Sequence, residues 1–164
     1  DPEDSEPVRR LLQHSPDTAG GLMTPEPVVL TPDTTVAEAL ARVRDPELTP
    51  ALSSLTFVTR PPTATPTGHY LGCVHTQRLL REPPATQVGG ILDTDLPVLS
   101  PTSSLAEVTR YFAAYNLVSA PVVDDENHLL GAVTVDDLLD HLLPPGWRHQ
   151  EDEADLQRAA GPAQ

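Results

Sequence analysis

Apolar and polar positions along this chain follow one pattern that is written twice. Val29-Leu30-Thr31-Pro32-Asp33-Thr34-Thr35-Val36-Ala37-Glu38 aligns without a gap onto Val98-Leu99-Ser100-Pro101-Thr102-Ser103-Ser104-Leu105-Ala106-Glu107. In each copy a short apolar run, predicted as a strand over Val28 to Thr31 and over Val98 to Ser100, gives way to a polar turn and then to helical spacing. Val36, Ala39, Leu40 and Val43 share one helix face, and Thr35 with Glu38 has the form of a capping box. Ser104 and Glu107 repeat that box for a helix predicted to run to about Tyr115. Apolar, β-rich runs follow. Leu55 to Thr59 and Tyr70 to His75 form one strand pair before a short helix from Thr76 to Arg81; Ala120 to Val123 and Leu129 to Val133 form another before a helix from Val135 to Leu143.

Each unit therefore reads strand–helix–strand–strand–helix. A unit of about 60 residues is marginal alone, so the two are expected to pack pseudo-symmetrically through their sheets in an α/β (α+β) fold. The cleft between the halves is the natural place for a ligand. The predicted organisation is residues 1–21 as the end of an upstream helical region and its linker, 22–86 as the first unit, 87–143 as the second, and 144–164 as an acidic tail. Within the first segment, Val8 to Gln13 reads as the end of a helix and Asp17-Thr18-Ala19-Gly20-Gly21 as a flexible joint. The run from Pro61 to Gly68 is an insertion relative to the short turn Asp124 to His128, and its Pro/Thr composition predicts disorder.

Charge narrows the possibilities. The net charge of −14 argues against a nucleic-acid partner, since phosphate neutralisation needs a basic surface. No apolar stretch approaches the ~20 residues that span a bilayer, and no secretory signal is visible. The single cysteine, Cys73, rules out an intrachain disulfide and suits a reducing cytosol. The chain opens without an initiator Met, which leads us to expect a piece of a longer protein. The six histidines show no metal-ligand spacing and no cysteine partner, so zinc is not expected. No nucleophile elbow or phosphate-cradling glycine loop suggests an enzyme.

Candidate chemistry gathers at the start of the last predicted helix. Thr134 leaves a strand and caps a helix whose free N–H groups favour a phosphate or carboxylate, and Asp137 stands one turn in, where it can accept from vicinal ribose hydroxyls. The same pair reads equally well as an N-cap and a favourable first-turn acid, together worth ~1 kcal/mol. Asp136 and Asp140 lie on one face of that helix with Asp137 beside them, an oxygen-rich set of the kind Mg²⁺ takes, or a solvated acidic face.

Gly131-Ala132-Val133-Thr134-Val135-Asp136-Asp137-Leu138-Leu139-Asp140, preceded by Ser119-Ala120-Pro121-Val122-Val123-Asp124, resembles the second half of a CBS-domain pair, or Bateman module. Gly20-Gly21-Leu22-Met23-Thr24-Pro25-Glu26, with Leu11-Leu12 and Ser15 to Ala19 before it, resembles the joint between the amino-terminal helical domain and the CBS pair of MgtE-type magnesium transporters. The resemblance covers roughly Leu11 to Leu143. It implies a nucleotide site with Leu117, Ser119 and Pro121 around an adenine and Thr134 and Asp137 on the sugar and phosphate. It also implies a regulatory magnesium site at Asp136, Asp137 and Asp140, sensed between the CBS pair and the upstream domain.

Two departures stand out. His75-Thr76-Gln77-Arg78 occupies the place of Thr134-Val135-Asp136-Asp137 in the first unit, and Arg78 cannot accept ribose hydroxyls, though it could meet a phosphate or pair with an acid. An aromatic near Ser54-Leu55 and an arginine near Gln77, expected of ATP-binding members, are absent, and Asn116 stands where another acid is expected. The implied function is a non-catalytic regulatory module of an MgtE-like magnesium transporter, or of a soluble relative. Its ligands would be Mg²⁺ and an adenosine nucleotide such as ATP or AMP. The alternative is a stand-alone cytosolic CBS protein that senses adenosine nucleotides and has no part in transport. Expected partners are a second copy, joined through helices carrying Leu40, Val43, Tyr111 and Leu138, the upstream helical domain, and a transmembrane pore domain of the same parent. The expected location is the cytoplasm, or the cytoplasmic face of the membrane.

Overall fold

Helix caps predicted from the repeat organise the chain. The structure, a computed structural model, describes residues 14–147 and 156–161. In chain order come α1 (Ala19–Leu22), β1 (Val29–Leu30), α2 (Val36–Val43), α3 (Pro50–Ser53), β2 (Leu55–Thr59), β3 (Tyr70–His75), α4 (Thr76–Leu79), α5 (Leu105–Tyr115), β4 (Ser119–Val123), β5 (Leu129–Thr134) and α6 (Val135–Leu142). At α2 the capping box closes both ways, Glu38 N–H donating to Thr35 Oγ1 and Thr35 N–H to Glu38 Oε2, each at 3.2 Å. Ser104 Oγ accepts from the Glu107 amide and Thr134 Oγ1 from the Asp137 amide, also at 3.2 Å. The Val8 to Gln13 helix and most of the acidic tail lie outside the described residues.

In the first repeat β1 runs parallel to β2, which pairs antiparallel with β3. In the second, β4 and β5 form an antiparallel pair. The strand expected over Val98 to Ser100 contracts to one parallel bridge, Leu99 to Val122. Pro97 and Pro101 flank it without N–H groups to extend the ladder, and only Leu99 pairs, donating to Pro121 O and accepting from Val123 N at 2.9 Å each.

The two sheets face each other, as the repeat predicts. Phe57, Tyr70 and Cys73 meet Val123, Leu129 and Ala132 between them. On the outer faces, Val36, Ala39 and Leu79 cover Val58 and Val74, while Val108, Tyr111, Phe112 and Leu138 cover Ala120, Val122 and Val133. Tyr111 and Leu138 are thus buried within the second repeat and are not available to a partner, because the apolar stripe of each helix is consumed by its own sheet. Among the described residues, the exposed large apolar residues of that repeat are Val98, Tyr115, Val118, Leu142 and Leu143.

Each repeat is also held by the segment that leads into the other. Thr18 bridges Ser104 and Thr24 bridges Ala132; at the equivalent points of the second copy, Gln87 bridges Thr35 and Asp93 bridges Cys73. The glycine-rich joint is therefore not loose. It forms α1, capped by Thr18, with Ala19 buried and donating to Ser103 O at 2.9 Å and Gly20 to Pro101 O at 2.9 Å. The Pro/Thr insertion is ordered by the same kind of contact. Thr67 is buried, its amide donates to Leu129 O at 3.0 Å, and its hydroxyl accepts from Leu129 N at 3.1 Å. Thr65 Oγ1 donates to Pro25 O at 2.8 Å. Composition predicts disorder there, but satisfied backbone groups over a buried strand end outweigh it. Among the described residues no helix is long and apolar enough to cross a membrane.

Candidate functional site

Both return strands hand the chain straight to a helix, and in both the handover is stitched to the start of the neighbouring strand. Thr76 N–H donates to Ser54 O and Val135 N–H to Val118 O, each at 3.0 Å. The Thr76 hydroxyl adds a second stitch to Ser53 O. Between these junctions opens a cavity of about 280 Å³. Its walls are Ser54, Leu55, His75, Thr76 and Gln77 from the first repeat and Asn116, Leu117, Val118 and Ser119 from the second. Asn116 shapes the second wall: it ends α5 in the left-handed conformation, φ 53° and ψ 38°, where asparagine is tolerated better than most residues.

Ser119 is the chemically informative member. It pairs with Thr134 in the sheet and is buried, yet its hydroxyl finds no hydrogen-bond partner among the described residues. A buried polar atom left unpaired costs about 1–3 kcal/mol, so one retained in a cavity wall needs an explanation. The other polar groups around the cavity are the side chains of Ser54, Thr76, Gln77 and Asn116 and the imidazole of His75. The set is suited to hydrogen-bonding a polar heterocycle or sugar more than to neutralising several charges.

The predicted residues divide. Leu117 and Ser119 line the cavity. Pro121 sits inside β4 opposite Ala132. Thr134 is buried, its hydroxyl oxygen accepting from the Asp137 amide, and neither Thr134 nor Asp137 lines this cavity. On α6, Asp136 and Asp137 are half-buried and Asp140 is exposed, accepting from Trp147 Nε1 at 3.2 Å. Sequence reasoning missed Thr76 as a wall residue and reached Ser54 and Gln77 only as places where an aromatic and an arginine were expected. Their signal was the register that sets His75-Thr76-Gln77-Arg78 against Thr134 to Asp137.

A second cavity, of about 430 Å³, shares His75 and is lined also by Arg78, Asp93, Asp95 and Tyr115. Arg78 pairs with Glu82 of its own repeat at 2.7 Å. His75 Nε2 lies 3.1 Å from Asp93 Oδ2. Partial burial works against the charge on Asp93, but the Asp95 amide and His75 outweigh it and hold the carboxyl below the usual carboxylate range.

A model of the CBS domain matches residues 19–84 and 88–144, one domain for each repeat. The chain belongs to the CBS-domain family. This CBS pair is 33% identical over 142 residues to the magnesium transporter MgtE of Thermus thermophilus, which covers 87% of this chain and 30% of that protein. It is 25% identical over 139 residues to the magnesium transporter MgtE of Enterococcus faecalis, covering 84% of this chain and 29% of that one. The chain thus spans about 30% of the length of the curated relatives it matches. Among solved structures, the cytosolic domain of the Mg²⁺ channel MgtE in complex with ATP matches with a TM-score of 0.75 at 33% identity, over 86% of this chain and 55% of that one. The soluble part of a magnesium transporter matches the fold with a TM-score of 0.75 at 24% identity, over 87% of this chain and 54% of that one.

Proposed function

We propose that this CBS pair is the regulatory, non-catalytic module of an MgtE-like magnesium transporter at the cytoplasmic face of the membrane. In this reading it takes an adenosine nucleotide between its repeats and Mg²⁺ at the acids of α6. The observation that carries the reading is the unpaired hydroxyl of Ser119 in the wall of a cavity shared by both repeats. The similarity to a cytosolic domain solved with ATP supports it from outside the molecule. The cavity is of a size for a nucleoside, with Leu117 and Leu55 offering apolar contact to a base and Ser119, Thr76 and Gln77 offering hydrogen bonds. Among its lining residues only His75 can carry a positive charge, so the phosphates gain little there and affinity is low. Asp136, Asp137 and Asp140 supply oxygens to a cation that keeps several of its waters and needs one or two direct carboxylates. Exposed Tyr115, Val118, Leu142 and Leu143 give the helices of the second repeat an apolar surface for a second copy.

Ser119→Ala tests the nucleotide site with two readouts of opposite sign. Removing an unsatisfied hydroxyl should leave the ligand-free chain at least as stable as the wild type in urea denaturation. The same change should weaken ATP binding, measured by titration calorimetry, by about tenfold, the worth of one hydrogen bond. A serine with only a structural role would show the reverse, lower stability and unchanged affinity.

A further inference from the structure

The histidines look scattered in the sequence, but the fold gives one of them a cysteine and a carboxylate. Cys73 and His75 are two residues apart on β3 and so share a face of the strand. The segment leading into the second repeat brings Asp93 against them through a two-way main-chain bridge, Cys73 N–H to Asp93 O at 3.1 Å and Asp93 N–H to Cys73 O at 2.8 Å. Cys73 Sγ, an imidazole nitrogen of His75 and a carboxylate oxygen of Asp93 all lie within 4.8 Å of one another. The His75–Asp93 edge is already 3.1 Å. In a tetrahedral site with bonds of about 2.0–2.3 Å, neighbouring donors stand roughly 3.3–3.7 Å apart, so the cysteine edges need to close by at most about 1.5 Å.

We propose that Cys73, His75 and Asp93 form a site for a thiophilic divalent cation of the Zn²⁺ class, with the fourth position open to the adjoining cavity. A sulfur, an imidazole and one carboxylate favour Zn²⁺ over Mg²⁺, which sets this site apart from the all-oxygen acids of α6. On binding, the Cys73 thiol gives its proton to water as the metal–sulfur bond forms, and His75 binds as the neutral imidazole. Thiolate and carboxylate then balance the two positive charges of the ion. The carboxylate is already oriented, because the Asp95 amide donates to Asp93 Oδ1 at 3.0 Å. Arg78, which lines the same cavity, is engaged by Glu82.

Co²⁺ is the probe, since it reports tetrahedral geometry and thiolate ligation by absorption. Titrating the 164-residue chain should give one equivalent of tetrahedral Co²⁺, with its visible bands and a sulfur-to-metal charge-transfer band in the near ultraviolet, both displaced by Zn²⁺. Cys73→Ser should abolish the charge-transfer band. His75→Ala, at a half-buried position where folding is not at risk, should weaken binding at least about tenfold, the loss that even an outer partner of a metal ligand produces. Asp136→Asn with Asp140→Asn should leave the charge-transfer and tetrahedral bands as they are. A Co²⁺ titration of the wild type without a charge-transfer band overturns the proposal, as does unchanged affinity in His75→Ala.

Discussion

Gly131→Ala is expected to destabilise the fold by about 3 kcal/mol or more, a large loss for one added methyl group. A Cβ at Gly131 would sit 2.3 Å from the carbonyl oxygen of Thr24. That oxygen belongs to the segment laid across β5, where Ala132 N–H donates to Thr24 O at 3.0 Å and Thr24 N–H to Ala132 O at 2.8 Å. To admit the methyl the segment must lift, breaking both bonds and exposing Met23, which is packed in the core of the second repeat. The equivalent glycine of the first repeat is in the same position: a Cβ on Gly72 would meet Asp93 O at 2.9 Å. Urea denaturation is the check, with Gly90→Ala as the control, since nothing lies within 4 Å of a Cβ there and the change should stay within about 0.5 kcal/mol. Equal stability of Gly131→Ala and the wild type would mean that residues 23 and 24 do not dock on the second repeat.

Mg²⁺ is expected to raise the melting temperature well above the value reached in NaCl of matched ionic strength. Screening by salt depends on ionic strength, so it cannot by itself separate two solutions matched in that respect. Preferential binding to the folded chain can: a ligand at 100 times its dissociation constant adds about 2.7 kcal/mol. For a domain of this size each kcal/mol corresponds to roughly 2–4 °C, so a rise of about 5–10 °C is expected at saturation. The source is the net charge of −14 with Asp136, Asp137 and Asp140 held on one short helix. Asp136→Asn with Asp140→Asn should remove most of the difference between the two salts. Equal melting temperatures in Mg²⁺ and NaCl would make these acids a solvated face and nothing more.

The repeat made the architecture legible because its signals are local. Thr35, Ser104 and Thr134 announce helix starts through residues three apart, and apolar β-rich runs announce the strand pairs; all of these stand in the structure. The cross-docking of the two repeats was not legible. Thr24 and Asp93 each act through one backbone bridge, which leaves no periodic trace in side-chain type. The glycines facing them were visible as Leu71-Gly72 and Leu130-Gly131, but their purpose, room for a crossing carbonyl, depends on residues far away in sequence.

The same limit governs the sites. Ser119 and Leu117 were reached only through the resemblance to CBS pairs, whereas the opposite wall, Ser54, Thr76 and Gln77, comes from the other repeat and the fold brings it near. Thr134, prominent in the sequence, accepts from the Asp137 amide as the cap of α6 and stands outside this cavity. The sequence reading gave His75 no cysteine partner; strand β3 puts Cys73 on its face, and Asp93 arrives from a linker 18 residues beyond His75.

The most direct test of the central claim is a crystal structure of the chain grown with ATP at saturating concentration. A nucleoside is expected between Ser119 of the second repeat and Thr76 of the first, with the Ser119 hydroxyl in hydrogen-bond contact with it. An empty cavity, or a nucleotide bound instead against Thr134 and Asp137, would contradict it.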